Sequence, residues 1–125
     1  MKLSRDQAIN EFRRMWAWIA LETYGCKQKI EKEDYIYTFG YDHRHIRSLC
    51  FLCEYDLQQR NPRQRVCDNC PIEFIDDCGE VTECDIEGTV YMNWVNAEEW
   101  QDAAKYAWEI ANLEEKTVRR YAEEE

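Results

Sequence analysis

Cys50-Phe51-Leu52-Cys53 is followed, thirteen residues later, by Cys67-Asp68-Asn69-Cys70. Two C-x2-C pairs at this separation have the ligand spacing of a tetrahedral four-thiolate zinc site. A C-x2-C turn points two sulfurs at one centre, and two such turns supply four soft ligands. A closed shell of this kind leaves no open position for a substrate. The same residues would otherwise form two disulfides or sit as four unrelated buried thiols. Seven cysteines is an odd number, and their pairing as C-x2-C favours metal over a disulfide framework. The remaining cysteines leave the ligand set open at its edges. If one cysteine is not a ligand, His43 or His45 is the first substitute, and Cys78 and Cys84 either pack near the knuckle or replace a ligand.

A chain of 125 residues, 45% of them apolar, is long enough for one domain with its own core. No apolar run approaches the roughly 20 residues that cross a bilayer. Met1-Lys2-Leu3-Ser4-Arg5-Asp6 lacks the apolar centre of a signal peptide. These features place the chain in a reducing cytoplasm.

The apolar pattern predicts helices on both sides of the cysteines. Ser4 and Gln7 form a capping box, followed by a helix to about Tyr24 with Ile9, Phe12, Trp16, Ile19 and Ala20 on one face. Gly25 is its expected stop. Residues 31–39 read as a second helix ending at Gly40, with a strand as the alternative. A short helix is expected over 54–59, broken at Asn61-Pro62, and another within 85–95. Asn96-Ala97-Glu98-Glu99 reads as a second capping box. The helix after it carries a stripe of Trp100, Ala103, Ala104, Ala107, Trp108 and Ala111. The expected fold is therefore mainly α. A small helical domain spans 1–113, with a four-cysteine zinc knuckle between N- and C-terminal amphipathic helices. Residues 114–125 follow as an acidic tail or helix extension.

The net charge of −10 is unevenly spread: +1 over residues 1–40, +2 over 41–66 and −13 over 67–125. A strongly acidic half repels nucleic acid and attracts basic protein surfaces. It also keeps a protein soluble, which is the plainer account. Asp76, Asp77, Glu80, Glu83, Asp85 and Glu87 form the densest acidic segment after the cysteines. Arg60, Arg63 and Arg65 form a basic cluster before Cys67, suited either to phosphate contacts or to offsetting thiolate charge.

Several features together resemble a family of small uncharacterised zinc-binding proteins of bacteriophages and prophages. They are Met15-Trp16-x-Trp18-Ile19-Ala20, Cys50-Phe51-Leu52-Cys53-Glu54-Tyr55, Cys67-x-x-Cys70-Pro71-Ile72, Cys84 ahead of Tyr91-x-x-Trp94, and the Ala103-Ala104…Ile110-Ala111 helix. The resemblance implies a mobile-element origin and a Zn2+ site at Cys50, Cys53, Cys67 and Cys70, without a defined activity. The chain departs from the family pattern in its acidic 76–83 insert and in lacking a proline after Leu113.

An enzyme is disfavoured. There is no Gly-rich phosphate loop, no H-E-x-x-H and no G-x-S-x-G, and neither His43 nor His45 is followed by the H-x-E of a zinc deaminase. A nucleic-acid-binding knuckle using Arg60, Arg63 and Arg65 runs against a pI near 4.7. The leading expectation is a non-enzymatic protein-interaction module. Its acidic residues would meet a basic surface on a host nucleic-acid-binding defence protein, in the manner of anti-CRISPR inhibitors.

Overall fold

The computed structural model describes residues 2–41, 50–64 and 69–116. Five helices and a two-stranded sheet lie among them: α1 (Arg5–Cys26), α2 (Lys32–Thr38), α3 (Phe51–Gln59), β1 (Phe74–Ile75), β2 (Val81–Thr82), α4 (Val90–Asn96) and α5 (Trp100–Ala111). The mainly α expectation holds at this level.

The first helix starts where its capping box predicts. The Ser4 hydroxyl accepts from Gln7 N at 3.1 Å, and the Gln7 side chain accepts from Ser4 N at 2.9 Å. Ala8, Ile9, Phe12, Met15, Trp16, Ile19, Ala20 and Thr23 are buried along one face. That stripe packs on α5, α3 and α2, so α1 is the spine of the molecule. Its end differs from expectation. Gly25 lies inside the helix, and Lys27 takes the left-handed cap at φ 54°. The chain then folds back, with the Thr23 hydroxyl accepting from Ile30 N at 3.1 Å.

Helix α2 replaces the strand alternative for residues 35–39. Glu31 and Asp34 form its capping box, and Tyr35 and Ile36 face the core. It closes in a Schellman turn: Tyr41 N donates to Ile36 O at 2.9 Å and Gly40 N to Tyr37 O at 3.3 Å. Gly40 sits at φ 77°, which the turn requires and a side chain resists.

Three further elements depart from the sequence pattern. Helix α3 begins at Phe51, inside the first cysteine pair, rather than at Glu54. Helix α4 begins at Val90, because Thr89 is its cap and residues 85–89 turn around Gly88. Gly88 is at φ 92°, and a Cβ there would meet Asp77 Cγ at 2.9 Å. The Asn96 capping box does not form: Asn96 ends α4 and Glu99 precedes α5. Lys29 closes α4 instead, donating to Trp94 O at 2.8 Å and Val95 O at 3.1 Å. A cation there meets the negative end of the helix.

The expected stripe on α5 is also rotated. Ala103, Ala107, Ile110 and Ala111 are buried against α1, whereas Trp108 is 52% exposed and Trp100 rests edge-on against Tyr24. Small residues at the centre let the two helix backbones approach, and the large rings move to the edges. Trp16 supplies the bulk from the opposite side, with its ring 4.7 Å from that of Trp94 in a T-shaped pair.

After α5 the chain runs extended beside residues 71–73. Glu73 N donates to Glu114 O at 2.9 Å, and Lys116 N donates to Pro71 O at 2.7 Å. Two arginines of α1 hold this strip down. Arg5 reaches Glu115 at 3.0 Å, and Arg13 donates to Leu113 O at 3.1 Å. The remaining tail, from residue 117, lies outside the described residues.

The rotated stripe predicts different costs at adjacent positions. Ala107→Leu should lower unfolding free energy by about 1–3 kcal/mol through overpacking. Trp108→Ala should cost well under half as much in the same urea titration. Equal losses would place Trp108 in the interface after all. Glu11 generates a second expectation, since its carboxylate accepts from Tyr41 at 2.6 Å and from Tyr35 at 3.1 Å. Burial and then the Glu11 carboxylate raise the Tyr35 phenol, while burial and then the Glu11 hydrogen bond push Tyr41 up to about 12. Folded values above the ordinary value of 10.0 mean that this stabilisation is complete below about pH 10 and lost at higher pH, through about 12 for Tyr41 and higher still for Tyr35. In an alkaline absorbance titration, two of the eight tyrosines should ionise late, together with unfolding. A single titration of all eight near pH 10 in folded protein would contradict the Glu11 network.

Candidate metal centre

Each cysteine near the centre is positioned by apolar neighbours that the core captures. Phe51 and Leu52, between the first two cysteines, are 0% and 1% exposed. They nail the turn to the core and leave Cys50 and Cys53 at its rim. Cys50 is extended and caps α3, with its sulfur accepting from Cys53 N at 3.4 Å. This N–H···S contact at a helix start favours the thiolate. Hydrogen bonding from Cys53 holds the Cys50 thiol down to about 7 against the opposing effect of burial, and nearby Lys32 acts in the same direction.

Asn69, next to Cys70, is tied to α3 by Asp56, a buried carboxylate on that helix. Its Oδ1 accepts from Asn69 N at 2.7 Å, and its Oδ2 accepts from Arg60 at 2.6 Å. Asn69 directly precedes Cys70, so this bond fastens the described end of the second C-x2-C pair to the helix that begins in the first. Ile72 and Phe74, 1% and 4% exposed, anchor the exit. Burial pushes the Cys70 thiol up to about 11, and its sulfur lies 3.8 Å from Ile72 O. Cys67 itself is outside the described residues, as are His43, His45 and Arg65.

Cys50, Cys53, Cys70 and Cys84 line one small cavity of about 50 Å³, with Asp56 and Lys116 also on its wall. A second cavity of about 180 Å³ abuts Cys50, Cys53 and Cys84 from the core side, where Lys32 and Trp16 contribute. The smaller space admits an ion or a water molecule and is far below the roughly 300–1,000 Å³ of pockets that bury a small-molecule ligand. Its donors are soft sulfurs, which suits zinc. Among the described residues no three of these sulfurs lie within 4.8 Å of one another. Tetrahedral Zn–S bonds of about 2.3 Å would draw them closer.

Charge around the centre differs from the expected pattern. Arg60 is committed to Asp56, and Arg63 is exposed in the 61–64 turn, where its N–H donates to Asn61 Oδ1 at 2.9 Å. The described arginines therefore do not form a common face toward the thiols. Among the described residues the cations at the cysteine-lined cavities are Lys32 and Lys116, from distant parts of the chain. Lys32 is held by Tyr91, donating to its hydroxyl at 2.8 Å. Neither lysine carries a local sequence signal, because only the fold brings it there. Asp56 was equally silent, being one carboxylate among many on a short polar helix.

The acidic candidates fall on the hairpin and the turn after it. Asp77, Glu80, Glu83, Asp85 and Glu87 are exposed, and Asp76 is half-buried. Asp76 is engaged locally: its Oδ1 accepts from Cys78 N at 2.9 Å and Glu80 N at 3.0 Å, shaping the β1–β2 turn. Ligand atoms of Asp76, Asp77 and Cys78 also come within 4.8 Å of one another at the surface. Cys78 is exposed there, and the Asp77 and Asp76 carboxylates raise its thiol. Among the described residues no helix is long and apolar enough to cross a membrane.

No family model, curated protein or solved structure matches the chain. The role of Asp56 is open to direct measurement. Asp56→Ala strands a half-buried arginine and a backbone N–H, and should cost about 3–5 kcal/mol of unfolding free energy. A loss below about 1 kcal/mol in urea denaturation would show that the second turn is held by other means.

Proposed function

We propose that this chain is a non-enzymatic, zinc-stabilised protein-interaction module of phage origin, acting in the cytoplasm of a bacterial host. In this reading Zn2+ on the clustered cysteines is structural, and recognition belongs to the acidic surface beside it. The partner is a host protein with a basic surface, a nucleic-acid-binding defence protein in the anti-CRISPR manner being the leading case. The observation that carries the reading is the placement of the acidic segment. Residues 76–87 hold six carboxylates and no basic residue, and five of the six side chains are exposed on a hairpin and turn rooted beside the cysteines. Carboxylates fixed on a rigid base can match the phosphate positions of a nucleic acid more closely than a floppy acidic tail can.

The alternative, a knuckle gripping nucleic acid through Arg60, Arg63 and Arg65, has less support. Arg60 is bound to Asp56, and Arg63 alone of the described pair projects into solvent. The size of the cysteine cavity argues against catalysis there.

Affinity capture from host lysate with mass spectrometry, followed by binding of the recovered protein against ionic strength, tests this reading. Binding to a basic protein should weaken with salt. The combined Asp77→Asn, Glu80→Gln, Glu83→Gln and Glu87→Gln variant should bind at least roughly tenfold more weakly, with its folding little changed. Tight DNA binding that falls steeply with salt, and no protein partner, would overturn the proposal.

A further inference from the structure

Among the described residues four cysteines line one small cavity, and the fold gives one of them a role that C-x2-C spacing does not suggest. Cys84 lines both cavities that Cys50 and Cys53 line. It is half-buried, whereas Cys26 and Cys78 are exposed. Its approach is built into the fold. Strand β2 pairs with β1 in the register Phe74↔Thr82, and Phe74 is locked edge-on against Phe12 of α1. Two residues beyond Thr82, the Cys84 carbonyl accepts from the Thr89 hydroxyl at 2.6 Å, which joins this stretch to the cap of α4. The hairpin therefore delivers a third sulfur, from a separate part of the chain, to the rim where Cys50 and Cys53 stand.

We propose that Cys84 is a thiolate ligand of the zinc, bound together with Cys50 and Cys53. Cys70 lines the same cavity and is the described sulfur placed to complete the shell. This rests on the zinc reading above and extends it. Coordination replaces the S–H bond of Cys84 with an S–Zn bond and releases the proton to solvent, as at each of the other thiols. No oxidant or reductant is involved. The consequence reaches the surface, because Glu83 and Asp85 flank the ligand and Glu87 follows two residues later. Metal at Cys84 orders the acidic segment directly, so loss of metal loosens the proposed docking surface before it melts the helical core.

Cobalt substitution and zinc competition on the full chain, purified under reducing conditions, test the assignment. Wild-type protein should take one metal per chain with the charge-transfer intensity of four thiolates. Cys84→Ser should lose about one quarter of that intensity, one ligand in four, and bind zinc roughly 100-fold or more weakly. Cys78→Ser should match wild type. A Cys84→Ser protein with undiminished intensity and zinc affinity overturns the assignment while leaving a zinc site in place. Failure of wild-type protein to bind any metal overturns the zinc reading itself. Should Cys84→Ser not fold, alkylation of native zinc-loaded wild-type protein decides the matter. Cys84 should be protected alongside Cys50 and Cys53 until a chelator is added, while Cys26 and Cys78 react throughout. Equal alkylation of Cys84 before and after chelation counts against it.

Discussion

The buried face of α1 is the constraint on which the other placements depend. Trp16 meets Trp94, Phe12 meets Phe74, and Ala107 of α5 closes against the same helix. The Phe74 contact fixes the strand that follows Cys70, and the Trp94 contact fixes the helix that follows Cys84. Phe74 sets the hairpin that leads to Cys84, and Phe51 and Leu52 set the turn between Cys50 and Cys53. The apolar groups do the positioning, and the thiols are carried to the rim by their neighbours. On the proposed zinc reading, such a site has its ligands roughly gathered by hydrophobic burial, so a metal would have less chain entropy to overcome in closing the shell.

Electrostatics then explains why the surrounding polar groups are where they are. On the proposed zinc reading, four thiolates around one ion would leave a net charge of about −2 on the centre. Lys32 and Lys116 at the two cavities would offset it, while Asp56, bonded to Asn69 and Arg60, also faces the smaller cavity and helps to raise the Cys70 thiol. A carboxylate beside thiolates would otherwise be an odd choice. It is tolerated because its two oxygens are spent on a backbone donor and a guanidinium, an arrangement that stiffens the second turn.

Much of this was legible in the chain, and the misses share a cause. Ser4 and Gln7, the Phe12–Trp16–Ile19 stripe and Gly40 acted as local rules say, because local geometry alone decides them. Gly25 and Asn96 did not, since neither end of a helix is set by one residue when packing offers a better stop. Lys27 could take the cap because Thr23 pulled the chain back, and Lys29 closed α4 from across the fold. Trp108 misled through size: a large apolar ring at helical spacing suggests core, yet close packing of α1 on α5 needs alanine at the contact. The candidate site divides the same way. The cysteine pairs announce themselves by spacing, but Lys32, Lys116 and Cys84 arrive through tertiary structure, with separations in sequence that carry no period.

The acidic segment poses the sharper physical question. Elsewhere some carboxylates have a cation beside them: Arg5 and Arg13 both reach Glu115, and Arg14 lies near Glu11. Between residues 76 and 87 there is no basic residue in sequence to do so, although six carboxylates crowd a short hairpin and turn. Like charges at this density repel, and the local strands are only two residues long, too short to hold such a segment by their own ladder. What holds it is attachment at both ends, to Phe74 and the cysteine centre on one side and to the Thr89 cap on the other. A surface that only needed to be soluble would gain nothing from concentrating its charge where the fold must restrain it. A surface that matches a basic groove would, because fixed carboxylates lose less freedom on binding than free ones.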